Sequence, residues 1–162
     1  MNEIERLLDQ FRRAYSGDTW SGPSLTDTLQ GLTAAEAASR PIPPAHSIWE
    51  LTLHLTAWID IVRRRVEENN LLELTDAQDW PVVPASANEA EWQQAQANLG
   101  QAHEKLLALV AQLQHRDLDR QLGTARDRSQ GSGITHYVLL HGLVQHNLYH
   151  AGQIALLRKA FS

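Results

Sequence analysis

Three features of the sequence predict an all-α four-helix bundle. Four long stretches carry apolar residues at helical spacing, three of them open on capping signals, and no strand-like alternation runs long enough to build a sheet. The chain of 162 residues is the length of one domain, read as spanning 1–162, and its 43% hydrophobic and 20% charged residues suit a folded core.

The first helix is expected over 2–15. Ile4, Leu7, Leu8 and Phe11 recur at helical spacing, with Asn2 as cap and Glu5 three residues on. Between 16 and 47, Gly17, Gly22, Pro23, Gly31, Pro41, Pro43 and Pro44 leave room only for short helical turns, at 25–30 and 33–39. The second helix has the clearest start, an S-x-x-E capping box of Ser47 and Glu50 just after two prolines, and should run to Glu68. Its apolar stripe includes Ile48, Leu51, Leu55, Trp58, Ile59, Val62 and Val66. An irregular stretch over 70–87 holds Trp80, Pro81 and Pro84 and is too long for a tight helix hairpin.

The third helix should begin after Asn88, with Glu91 completing the cap, and continue to about Gln114, where His-Arg-Asp suits a helix C-terminus. The run SQGSG at 129–133 reads as a linker, and the fourth helix is expected over 134–160. Long connections allow crossovers that a simple up-down-up-down bundle would not need.

Composition narrows the chemistry. Fourteen Lys and Arg against nineteen Asp and Glu give a formal charge of −5, without the basic footprint of a nucleic-acid binder. No cysteine is present, which excludes disulfides, thiolate metal sites and cysteine nucleophiles. No apolar run approaches the ~18 residues of a membrane span, so a cytoplasmic protein without a membrane partner is expected. Histidine and carboxylate chemistry remains.

With eight histidines in the chain, a pair four residues apart arises about 0.4 times by chance, so the spacing of His146 and His150 must be backed by placement. On one helix they differ by about 40° in azimuth and about 6 Å in rise, and the face they share is mostly leucine. Two imidazoles buried side by side either find separate hydrogen-bond partners as packing residues or share a divalent cation that keeps both neutral. A third ligand is then needed, and His54, among Leu51, Leu53, Leu55 and Trp58, is the best placed, although it lies about 90° from the centre of its helix's apolar stripe. His141 is about 140° from His146, and His136 about 15 Å away along the axis, so neither can join. His46, His103 and His115 are expected at the surface. Glu50, one turn before His54, is open to two readings, general base or ligand against capping residue. Gln153 either orients a ligand or makes a core hydrogen bond.

The stretches HSIWELTLHLTAW (46–58) and GLVQHNLYHAGQIALLRK (142–159), together with WSGPSL from Trp20 and the pair Asp79 and Trp80, resemble the DinB-like (YfiT-like) superfamily of metal-dependent bacterial proteins. The most specific text is His-x-x-Tyr-His-x-Gly-Gln-Ile, 146–154. The resemblance implies a four-helix bundle with up-down-down-up connections. It also implies a metal triad of one His from the second helix and two from the last, which map onto His54, His146 and His150. Relatives of this kind include thiol-dependent S-transferases, isomerases using low-molecular-weight thiols, and hydrolases.

Two function classes follow. The first is an enzyme in which three neutral imidazoles hold zinc or nickel with an open position for water or a thiol, and the loop around Trp80 helps form the pocket mouth. Its substrate is a small molecule, such as a low-molecular-weight thiol. The second is a noncatalytic metal-binding bundle that serves protein partners. A second apolar stripe on the last helix, Tyr137, Leu140, Val144, Leu148, Ala151 and Ala155, either packs within the chain or forms a homodimer interface. A concave pocket at the ion favours the enzyme; a fourth protein ligand with no pocket favours the module.

Overall fold

Capping chemistry decides where the helices of this chain begin. The computed structural model describes residues 1–123 and 134–161. The side chains of Asn2, Ser24, Thr33, Ser47 and Asn88 accept from the backbone three residues on, and Glu5, Asp27, Glu36, Glu50 and Glu91 reach back to the cap N–H. These start α1 (Glu3–Ser16), α2 (Leu25–Leu29), α3 (Ala34–Ala38), α4 (Ile48–Glu68) and α6 (Glu89–Val110). A single turn, α5 (Asp76–Asp79), lies between α4 and α6, and Thr135 caps α7 (His136–Arg158). The described residues contain no β-strand, only an isolated bridge between Gln121 and Thr135.

The four long helices match the sequence expectation closely, with one difference. The third ends at Val110, and His115-Arg116-Asp117 fall in a separate 3-10 turn, His115–Asp119. That turn carries its own capping geometry from Gln114 and Asp117, which competes with continuing the α-helix. The linker expected at 129–133 lies outside the described residues.

Helices α1 and α4 each pack on α6 and on α7; the most extensive packing joins α4 to α6, consecutive among the long helices, while α1 packs on the two later helices α6 and α7. The long connection between α1 and α4, and the one between α6 and α7, make this crossing arrangement possible. One continuous core results, with Phe11, Trp49, Leu55, Ile59, Trp92, Leu106 and Ile154 at 0–1% exposure. Each such side chain contributes about 1.5–3 kcal/mol through burial. Trp49 and Trp92 meet at 5.2 Å between α4 and α6, and the Trp92 indole donates to the Leu32 carbonyl at 2.9 Å. Leu140, Val144 and Ala151 of the second stripe on α7 are buried within the chain, while Tyr137 is 45% exposed.

The segment after α4 is tied back onto it. Asn69 ends the helix in the left-handed region (φ 48°), and the Arg65 guanidinium donates to the Leu72 carbonyl at 2.7 and 3.0 Å. The chain thereby returns α5 and Trp80 to the middle of α4, beside His54. No helix among the described residues is long and apolar enough to cross a membrane.

Candidate metal centre

α4 and α7 pack against each other, and this places His54 beside His146 and His150 near the middle of α7. The Nε2 atom of His146 is 3.2 Å from Nε2 of His54 and 3.1 Å from Nε2 of His150. His54 and His150 are 5–6% exposed, and His146 is half-buried. These three residues form a group whose ligating atoms lie within 4.8 Å of one another.

The opposite edges of the rings explain why the Nε2 atoms point inward. His54 Nδ1 lies 2.7 Å from the Asp79 carbonyl oxygen and 3.2 Å from its Oδ1, both acceptors, so this nitrogen carries the proton. His150 Nδ1 is 2.6 Å from Gln153 Oε1 and donates to it. Neutral His54 and His150 therefore present lone pairs at Nε2. His146 Nε2 has at most one proton and can satisfy only one of these neighbours well. Three ring nitrogens at this spacing are poorly matched to one another as hydrogen bonds and well matched to a shared cation.

Electrostatics point the same way. Burial lowers the His54 pKa, with the Asp79 carbonyl and carboxylate opposing it in part. Burial lowers His150 against the pull of Gln153. His146 is pushed down to about 4, by burial first and then by its two histidine neighbours. All three rings are held neutral near pH 7, the form that ligates metals.

Trp80 completes the site. Its ring stacks on His54 at 3.9 Å and 10°, and on its other face His46 stacks at 3.6 Å and 5°. The Asp79 carboxylate is also fixed by the Trp58 indole, which donates to Oδ1 at 2.6 Å. A cavity of about 530 Å³ opens over the group, bordered by Leu51, His54, Trp80, Tyr149, His150 and Gln153. A smaller one of about 310 Å³, walled by Trp58, Val62 and Leu143, lies against His146. Two larger clefts lie beside α1, lined by Asp9, Arg13 and Asp18 and by none of His54, His146 and His150.

The other sequence candidates fall differently. Glu50 Oε2 accepts from the Ser47 N–H at 2.7 Å and its Oε1 pairs with Arg40. Partial burial raises the Glu50 pKa, but the hydrogen bonds from Ser47 and Arg40 outweigh it and the net shift is downward. Its carboxylate is thus engaged as a cap. His115 is exposed as expected, whereas His103 is 2% exposed and stacked on Tyr15 at 4.0 Å. Its polar neighbours in sequence, Gln101, Glu104 and Lys105, are exposed, while the His103 ring itself is turned onto Tyr15 of α1. His46 is half-buried against Trp80 on the cavity wall, not free at the surface. Asp79 is the residue that sequence reasoning did not place at the metal group; the Asp-Trp pair at 79–80 was its one signal.

A sequence profile of the DinB superfamily matches residues 18–154. The chain belongs to the DinB superfamily. Among solved structures, a conserved protein from Enterococcus faecalis superposes with a TM-score of 0.70 at 20% identity, over 98% of this chain and 96% of that one. At that identity the likeness concerns the fold. No curated protein matches the chain. As a DinB superfamily member, the protein combines the family's helical fold with a histidine triad able to bind a metal ion.

Proposed function

We propose that this protein is a metal-dependent enzyme in which His54, His146 and His150 hold a divalent cation, zinc or nickel among the ions that imidazole suits, and which catalyses thiol transfer or hydrolysis on a small molecule. The observation that carries this reading is the convergence of three Nε2 atoms at the wall of an open cavity, with two of the Nδ1 atoms satisfied elsewhere. When bound, the ion supplies Lewis acidity and makes a thiol or water more acidic at neutral pH.

The chain's own residues prepare the site. Asp79 and Gln153 fix ring orientation and tautomer at His54 and His150. Burial keeps the ligands unprotonated. Trp80 covers one face of His54 and excludes water from it. Among the described residues the metal-ligating group contains three histidines and no carboxylate, and it borders a cavity. This combination supports an enzyme over a closed structural module.

Elemental analysis of the purified protein tests the proposal, followed by thiol-conjugation and ester-hydrolysis screens of the metal-loaded form. About one equivalent of a divalent transition metal per chain is expected. Metal at trace levels after reconstitution would remove the assignment.

A further inference from the structure

The cavity over the triad also constrains what can enter it. Among the described residues that line it there is no Lys, Arg, Asp or Glu; its polar side-chain atoms belong to His46, His54, His150 and Gln153, with the Tyr149 hydroxyl and the Trp80 indole N–H on largely apolar rings, and the other lining side chains are aliphatic. The nearby charges are engaged elsewhere, Arg40 with Glu50 and Asp79 with His54 and Trp58. The two clefts beside α1 are larger and carry Asp9, Arg13 and Asp18, so the absence of charge belongs to the histidine cavity and not to concave surface in general.

The rim extends the pattern. Ile42, Tyr149 and Leu156 are 48%, 65% and 60% exposed and all border this one cavity. Large apolar side chains gathered at the mouth of a site are an unfavourable exposure that a bound apolar group relieves. Away from the ion itself, a carboxylate or phosphate at the far end of a ligand would lose water here and meet no Lys or Arg among the described lining residues.

Building on the metal reading above, we infer that the triad cavity selects an aromatic or branched apolar group that carries a single donor for the ion and is otherwise uncharged, and disfavours a second, anionic group away from the ion. Leu51 and Leu157 of the wall, with Trp80 and Tyr149, offer surfaces for a ring of that kind.

Two nearly isosteric probes test it. The cobalt-substituted protein is titrated with 4-methylbenzenethiol and with 4-mercaptobenzoate, read by the thiolate-to-cobalt absorption band. The methyl probe is expected to bind about ten-fold or more tightly, a difference of about 1.4 kcal/mol. Leu156→Lys, at an exposed position that leaves the core intact, should narrow or invert the ratio. A parallel arm uses metal-free protein with 4-methylphenol and 4-hydroxybenzoate, read by saturation-transfer NMR. Cobalt uptake with equal affinities, or tighter binding of the carboxylate probe, overturns the inference and leaves the metal site standing. Failure to take up cobalt, with the neutral phenol still preferred by the metal-free protein, overturns the metal site and upholds the apolar selection.

Discussion

His103, buried, and His146, half-buried, both have pKa values pushed down to about 4, and they occupy different kinds of place. His103 is lowered by burial and then by Arg12, stacks on Tyr15, and has no second imidazole beside it. His146 has two ring nitrogens within 3.2 Å of its own, and those rings are anchored from behind by Asp79 and Gln153. Burial and a depressed pKa therefore do not distinguish a candidate ligand from a packing histidine. Convergence of lone pairs does.

Truncation separates the two histidines most directly. His146→Ala or His150→Ala should reduce bound metal to near zero and lower affinity by more than about 100-fold, since even an outer partner of a ligand is worth 10–100-fold. The metal-dependent part of the melting temperature should vanish with it. His103→Ala should leave metal content unchanged and lower stability by about 1–3 kcal/mol through the cavity it creates. Inductively coupled plasma analysis and thermal melts of all three variants decide the matter; equal metal loss in His103→Ala would erase the distinction.

Acid should separate the two places next. Each ring's pKa in the folded protein lies below the ordinary 6.5, so the unfolded chain takes up protons first. Stability is full above about pH 6.5 and is lost as the pH falls toward about 4. Zinc should steepen this loss, because protons displace it from the triad, while His103→Gln should remove only its own share of the zinc-independent part and leave the zinc-dependent part unchanged. Melting temperature against pH, with and without zinc, measures both contributions.

Smaller changes sharpen the picture. Gln153→Ala frees His150 Nδ1 and should weaken zinc binding by about 10-fold with little change in the fold. Competition against a chromophoric chelator reads this directly, and an unchanged affinity would strip Gln153 of its orienting role. The smallest effect belongs to Gly152, also on α7 beside the site. A Cβ there meets nothing within 4 Å, so Gly152→Ala should stabilise the helix by about 0.5–1 kcal/mol and leave metal content alone. A denaturant melt checks it.

The parts of this molecule that local chemistry determines were legible in the sequence. Ser47 with Glu50, and Asn88 with Glu91, announce α4 and α6 because a capping box is a contact between residues three apart. The pairing of His146 with His150 is likewise a property of one helix. His54 was the best-placed third candidate from its leucine surroundings, and the family resemblance strengthened that choice, since nothing in its own helix says that its off-stripe face meets α7. Asp79 was harder still. Its role depends on Arg65 drawing the chain back along α4, a long-range arrangement with no periodic trace. His103 misled because polar residues surround it in sequence while its own azimuth faces Tyr15 of α1.

The hold of Asp79 and Trp80 on His54 joins two equilibria. If ordering the 70–80 segment helps aim His54 at the ion, then the ion must help order the segment by an equal factor, since coupling free energies are reciprocal. Slower amide exchange across α5 upon metal loading would measure that factor from the side of the polypeptide. A short turn with no buried residue of its own would then be a part of the protein whose local stability is set by what the histidines hold.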